Sequence, residues 1–491
     1  MERQLPVRLA RSKRISSKRL AVLLASIILH ANLHASTRAR ATSSPNFVVI
    51  LTDDQSWVGS SIVMDERYPE SVSDSFNTPN MARISEAGMR FTDAYAPAPY
   101  CCPTRRALLV GQSPARHVYQ KNRDEWFKTY ANRLTIPRML KSANPEYHTA
   151  HLGKWDFRFD LISPEELGYD VSDGRTSNRE GGGRNSSKRR SAITEDPKLV
   201  FDLTRRACDF IRDSHAARRP FYLQLSHYAV HLDIYACEAS LAEAERRGVG
   251  QKHNDPRFAA MTEDLDESIG LLLDELQSLQ LLDNTYIFFM SDNGGRSSLP
   301  EVDADLNRNH PLRSGKGRMY EGGIRVPMFA SGPSISSGSV CNTPVTGLDL
   351  LPTLADLAGY ASPLPADLDG GSLVPLFEGG GEGSVVRETP FLIFHHAYNR
   401  QSQSALRLEQ WKLVRTGKRL ELFDLSQDLS EAKDLSQIIP GKTAELERMM
   451  LDYLTTVDAE MQGGTKARPR GKKKPAIERD FDRRKSTRAS L

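Results

Sequence analysis

Two apolar runs that end in carboxylates constrain this chain more than any other feature. "NFVVILTDDQ" places Asp53 and Asp54 directly after a run of β-favouring residues, and "TYIFFMSDNGG" does the same with Asp292 and Asn293. Runs this apolar read as strands buried on both faces. "YHTAHL" (147–152) and "PFYLQLS" (220–226) have the same character. Helical patterns lie between them. "TPNMARISEAG" offers Thr78 as N-cap, Pro79 in the first turn and Gly88 at the end. The stretch 257–280 spaces Phe258, Met261, Leu265, Ile269 and Leu272 three or four apart, with its acids on the other face. This alternation predicts an α/β fold, a large central sheet with helices on both faces.

In open α/β sheets, ligands sit beyond the carboxyl ends of the strands. Asp53, Asp54, Asp292 and Asn293 would meet there as an all-oxygen donor set. Such a set suits a hard divalent cation, Ca²⁺ or alternatively Mg²⁺. Either acidic pair alone is also what a turn or a helix cap uses. It is the two strand ends together that point to a metal.

"YCCPTRRALLVGQ" (100–112) holds two of the chain's five cysteines. The pair reads as a redox couple, a metal site, two small buried side chains or a nucleophile. C-C-P lacks the C-x-x-C spacing, there is no second cysteine pair for zinc, and adjacent cysteines strain a disulfide. Pro103 predicts a helix closed by Gly111, with Cys101 at its N-terminus and Arg105 one turn on. Amide groups and the helix dipole favour an anion there, which predicts a thiolate of lowered pKa in the unmodified chain. Cys208, inside a helical pattern, reads as a small buried hydrophobe, and Cys237 and Cys341 could pair. Lys154 follows one strand in "HLGKW", and His227 and His231 follow another in "LSHYAVHLD". Lys316 and Arg325 lie in the Gly-rich "HPLRSGKGRMYEGGIRVP". Singly these read as surface or structural residues. Together they supply cations and a general acid for an anionic substrate.

Charge is concentrated at the ends. Residues 1–40 carry nine Lys/Arg against one acid, and 465–491 carry eleven against three, leaving 46 basic and 58 acidic residues between them. The basic pI of ≈ 8.7 therefore belongs to the termini and is no argument for nucleic-acid binding. Basic residues up to Arg19 precede the apolar "LAVLLASIIL" (20–29), with small residues at Ala35 and Ala39–Ala41. That is the pattern of a signal peptide over 1–41, and it predicts an exported, periplasmic or secreted protein, an uncleaved anchor being the alternative. No stable membrane insertion is expected. The segment 174–196, rich in Gly, Ser and Arg, reads as a mobile insert in a catalytic domain spanning 45–384. Short strands from about 390 and a helix near 441–456 read as a C-terminal subdomain over 385–460 with an antiparallel sheet. The tail 465–491 reads as disordered and solvated, or as touching an anionic surface.

These residues resemble the sulfatase family, the formylglycine-dependent type I enzymes of the alkaline phosphatase superfamily. "CCPTRRALLVGQ" is similar to the signature C-x-P-S-R-x-x-x-L/M-x-G, with Thr104 where Ser is commonest. The early Asp-Asp, "GKW", a His after the middle strand, "SDNGG" and "GKGxxxEGGIRVP" follow in order, over roughly residues 45 to 455. The resemblance implies a large mixed central sheet with a smaller C-terminal antiparallel sheet. It implies a formylglycine made from Cys101 by a maturation enzyme, with Cys102 a bystander. It implies that Asp53, Asp54, Asp292 and Asn293 hold Ca²⁺ with residue 101, that Arg105 orients them, that Lys154 and Lys316 bind sulfate oxygens, and that His231 serves the leaving group. One departure stands out: "GKWDFRFD" has Asp156 where many members have His. Either His148, His151 or His227 fills that space, or Asp156 contacts a substrate hydroxyl, or it forms a structural salt bridge. His227 and His395, with His396 and Tyr398, are further candidates for lining a sugar site. The implied activity is hydrolysis of a sulfate ester on a small molecule or glycan. A phosphate or phosphonate ester hydrolase and a non-catalytic sulfated-glycan binder are the alternatives.

Overall fold

The first apolar run becomes β1 (Asn46–Thr52), buried at every position, in the computed structural model, which describes residues 44–117, 131–157, 162–181, 195–299, 306–397 and 402–461. The expected signal segment and basic tail lie outside the described residues, as do 182–194 of the expected insert and Tyr398. In chain order the other strands are β2 (Met89–Phe91), β3 (Ala94–Tyr95), β4 (His148–Gly153), β5 (Val171–Ser172), β6 (Phe221–Ser226), β7 (Thr285–Ser291), β8 (Met328–Ser331), β9 (Ser339–Cys341) and β10 (Val345–Thr346). Near the C-terminus follow β11 (Leu392–His396), β12 (Gln403–Leu408), β13 (Trp411–Thr416) and β14 (Arg419–Asp424). Eight strands form one sheet in the order β5-β4-β6-β1-β7-β8-β2-β9. Neighbours from β5 to β7 are parallel, while β8 runs antiparallel to both β7 and β2, so the sheet is mixed.

Both faces are covered, and strand alternation decides what covers each. Phe47, Val49 and Leu51 point to one side, into a core shared with the helices Cys101–Val110, Ile136–Ala143 and Leu350–Leu357. Val48 and Ile50 point to the other, against Pro79–Ala87, Val200–Ala216 and Pro256–Ser278. The last of these is the helix expected over 257–280, and Asp255 caps it by accepting from the N–H groups of Arg257 and Phe258. Thr78 precedes Pro79–Ala87 as expected but makes no side-chain cap bond. Its Oγ1 instead accepts from the N–H of Ser61 at 2.8 Å, a tertiary contact the local pattern does not reveal.

β11 to β14 form a four-stranded antiparallel sheet in sequential order. Leu406, Leu413 and Leu422 face the helix Pro440–Thr456, while Ala405, Val414 and Phe423 face Tyr95, Met319 and Ile324 of the main body. The described residues from Pro45 to Met461 therefore belong to one compact unit.

Candidate active site

Strand register sets the carboxylates side by side. β1 and β7 pair Thr52 with Ser291 at their last rung, so Asp53 and Asp292 leave the sheet together. Asp54 turns back with φ of 61°, and its N–H donates to Asp292 Oδ1 at 3.2 Å. Asn293 Nδ2 donates to Asp54 Oδ1 at 2.8 Å. β6 pairs Ser226 with both Leu51 and Gly153, which brings the end of β4 alongside. Gly153 has φ of 94°, and a Cβ there would stand 2.0 Å from the Ser226 carbonyl oxygen, so glycine is required immediately before Lys154.

Three cations meet these acids. Lys154 Nζ pairs with Asp53 Oδ2, and Lys316 Nζ with Asp54 Oδ1. Arg105 Nε donates to Asp292 Oδ2 at 2.8 Å and Nη1 to the Lys154 carbonyl at 2.6 Å. All are buried except the tip of Lys316, whose side chain is 11% exposed. Burial alone would raise the Asp53 and Asp54 carboxyls, but Lys154 and Lys316 respectively, with His231, hold both below the usual carboxylate range. Asp292 goes the other way: burial and the Asp53 charge push it up to about 6 despite Arg105.

The helix Cys101–Val110 starts two residues earlier than Pro103 suggests, because proline needs no intrahelical N–H bond in a first turn. Gly111 closes it in the left-handed conformation, as expected. One ligand atom each of Asp53, Cys101 and Asp292 lies within 4.8 Å of the others. The expected low thiol pKa is wrong. Burial pushes the Cys101 thiol up to about 12, outweighing the attraction of Lys154 and Lys316. Cys237 and Cys341 are free and do not pair, and Cys208 is a buried free thiol.

His231 joins the cluster, with Nε2 3.8 Å from Asp54 Oδ2. Its Nδ1 lies 2.5 Å from the Leu232 carbonyl, which can only accept, so the ring proton sits on Nδ1 and Nε2 faces the carboxylates. Two residues no motif signalled hold this arrangement. Lys198 Nζ donates to the carbonyls of His231 and Asp233 at 2.7 and 3.1 Å. Asn178 Nδ2 comes within 3.4 Å of His231 Nε2. The start of the expected mobile insert is thus packed at the site, where Thr176 O also accepts from the Asp156 N–H.

Asp156 lies 3.5 Å from Lys154 Nζ, which fits the salt-bridge alternative. His148 and His151 are taken up elsewhere, against Ser214 Oγ and Ser226 Oγ. His227 is fully buried, and burial alone brings its pKa down to about 3, with no charged neighbour contributing. Both of its ring nitrogens are buried without a hydrogen-bond partner among the described residues, and its backbone N–H donates to the Leu51 carbonyl at 2.9 Å. His395 also falls out of the site: Nδ1 pairs with Ser404 Oγ at 2.8 Å and Nε2 with the Glu460 carbonyl at 2.9 Å. It is His396, one residue on and on the opposite face of β11, that meets Tyr100, with ring centroids 5.3 Å apart. The C-terminal sheet reaches the residue before Cys101 in this way.

The cluster contains acceptors that the protein does not use. Asp53 Oδ1, Asp54 Oδ2 and Asn293 Oδ1 are buried without a hydrogen-bond partner among the described residues. Buried oxygens of this kind require a donor or a cation.

Comparison with known proteins fits this geometry. The sulfatase family profile matches residues 45–360, and a profile for the C-terminal region of N-sulphoglucosamine sulphohydrolase matches 314–460. N-acetylgalactosamine-6-sulfatase of Canis lupus familiaris is 30% identical over 373 residues, covering 70% of this chain and 67% of that protein. Human (Homo sapiens) arylsulfatase A is 30% identical over 413 residues, covering 76% and 74%. The crystal structure of Ps i-CgsB in complex with k-i-k-neocarrahexaose superposes with a TM-score of 0.70 at 25% identity, covering 90% of this chain and 98% of that one. With its mixed sheet, strand-end acids and separate C-terminal sheet, the chain has the alkaline-phosphatase-like fold and belongs to the sulfatases, the sulfuric ester hydrolases.

Proposed function

We propose that this chain is an exported sulfatase that removes sulfate from a carbohydrate, using a nucleophile made from Cys101 beside a bound Ca²⁺. The observation that carries this reading is the position of Cys101 at the start of a buried helix, its Sγ within 4.8 Å of ligand atoms of Asp53 and Asp292. The carbohydrate assignment draws on the relatives, one named for an N-acetylgalactosamine sulfate and one solved with a neocarrahexaose. Export draws on the basic and apolar pattern of residues 1–41. Among the described residues no helix is long and apolar enough to cross a membrane.

The unused oxygens of Asp53, Asp54 and Asn293, with Asp292, fit a hard cation, and Mg²⁺ is the other ion that this donor set suits. Bound there, the ion supplies positive charge at the reacting oxygens. A formylglycine formed from Cys101 by a maturation enzyme supplies, when hydrated, a hydroxyl nucleophile. The chain's own residues do the rest. Arg105 fixes Asp292 and the Lys154 backbone, and so holds residue 101 against the acids. Lys154 and Lys316 bring two ammonium charges to the sulfate oxygens, where charge builds as the ester bond breaks. His231 Nε2, which carries no proton in the tautomer fixed by the Leu232 carbonyl, would first have to take one up before giving it to the leaving alcohol. Asp156 steadies Lys154.

The test is sulfate release from a panel of sulfated mono- and oligosaccharides by protein matured in its native host, with phosphate esters in parallel. A clear preference for phosphate would sink the reading. The peptide containing Cys101 should be about 18 Da lighter than its thiol form, sulfur replaced by aldehyde oxygen. An intact thiol in fully active enzyme would refute the nucleophile.

A further inference from the structure

Arg308 is a buried cation that no carboxylate among the described residues pairs with. The residue is 3% exposed, and its guanidinium carbon lies 4.9 Å from the centroid of the Phe258 ring. Its side-chain hydrogen bond is a long one, from Nη1 to Asn254 Oδ1 at 3.5 Å. Among the described residues, Nη2 has no hydrogen-bond partner and no carboxylate forms an ion pair with the guanidinium. Buried Arg105 and Arg325, by contrast, each meet a carboxylate at 2.8 Å or less. A buried charge without a counter-ion is strongly unfavourable unless an anion completes it.

The nearest acids are committed elsewhere. Asp74 accepts from the N–H groups of Gln251, Lys252 and His253. Asp255 caps its helix and pairs with Arg257 at 2.8 Å. His253 lies between Ser73 Oγ at 2.8 Å and the Arg308 carbonyl at 3.0 Å, and burial keeps it neutral.

Arg308 lines a cleft of ≈ 20 Å³ together with Asp54, Gln55, Gly295 and Arg296. Asp54 belongs to the catalytic cluster, so this cleft adjoins the reacting centre. The Arg308 N–H donates to the Ser297 carbonyl at 3.0 Å, which ties the segment to the turn after Asn293. Arg296 is exposed on the same turn and adds a second cation. Phe76, Val230, Phe258 and Leu299 line it as well, and at roughly 10–15 Å³ for one water on this measure the cleft holds one or two water-sized groups and no sugar ring.

We propose that Arg308 is a specificity-determining residue that receives a second anionic group of the substrate, a carboxylate or a sulfate carried next to the ester that is cut. This rests on the sulfatase reading above and narrows its substrate to saccharides bearing two neighbouring negative charges.

The test compares three esters of one hexose with the matured full chain: the monosulfate, the same sulfate on the uronate, and the disulfate. The wild type should turn over at least one doubly anionic ester with a kcat/KM about tenfold above the monosulfate, as expected for a charge-assisted contact. The identity of that ester tells carboxylate from sulfate. Arg308→Met should bring the ratio near one, mainly through KM, and Arg308→Lys should keep part of it. A wild-type ratio of one or less for both doubly anionic esters overturns the inference, however the variants fold. A ratio that survives Arg308→Met overturns it too. Turnover of all three esters without selectivity leaves the sulfatase reading standing, whereas sulfate release from none of them and from no member of the wider panel removes both.

Discussion

The molecule contains two buried charge clusters of similar make-up, and they differ in what they leave unused. At the strand ends, Asp53, Asp54 and Asp292 face Arg105, Lys154 and Lys316. Where the main body meets the C-terminal sheet, Asp93, Glu321 and Glu431 face Arg325, Arg407 and Lys412. In the second cluster the acids are taken up internally. Glu321 Oε2 accepts from Tyr95 and Arg325 and Oε1 from Lys412; Glu431 Oε2 accepts from the Glu321 N–H at 2.7 Å, while its Oε1 lies 2.8 Å from Lys412 Nζ as an ion pair without a hydrogen bond. In the first cluster, oxygens of three residues meet no donor. Equal numbers of charges can thus make a fastener or a receptor, depending on whether the oxygens are consumed from within. The first should carry activity and the second stability.

Four experiments would break or sharpen that contrast. Cys101→Ala should lower sulfate release by about 10⁴-fold or more with little change in Tm, whereas Cys102→Ala should stay within about threefold of wild type. Stopped assays beside thermal melts check both. Glu321→Gln should do the reverse. Breaking a buried pair costs about 3–5 kcal/mol, or about 3–5 °C of Tm in a chain this long, with turnover per folded molecule retained. Activity lost in step with Glu321 would mean the junction is part of the site. Chelation should act on the first cluster alone. An ion present at about 100 times its Kd stabilises by about 2.7 kcal/mol, so chelator should lower Tm by about 3 °C in wild type and not in Asp54→Asn. An equal shift in that variant would place the ion elsewhere.

The smallest effect is one of pH. Burial raises Glu431 from 4.5 to about 7, and the Glu321 charge adds to this against Lys412. Between those values the folded protein holds a proton that the unfolded chain has released, so this group makes stability fall as pH rises from about 4.5 to 7. Glu431→Gln should flatten that part of the Tm–pH curve. A steeper fall in the variant would contradict the assignment.

The first cluster was legible in the sequence because its signals are local. A carboxylate directly after an apolar strand sits at the strand's end wherever the strand goes, and Cys101 and Arg105 share one helix. The second cluster was not, since Glu321 and Lys412 are 91 residues apart and only the folded chain brings them together. Lys198, which holds His231 through two carbonyls, is one lysine among many in the sequence. His395 and His396 show a different failure: neighbours on a strand face opposite ways, and composition does not say which faces the site. The thiol pKa departs from the sequence expectation because the helix end and the cations can be read from residues, while desolvation depends on everything packed around them.

All ten residues of the helix that begins at Cys101 are buried, and Cys101 itself is 4% exposed. An enzyme that alters that side chain has to reach it, and the finished fold exposes almost none of it. The modification proposed for Cys101 would therefore have to act before the sheet and helices close over the segment.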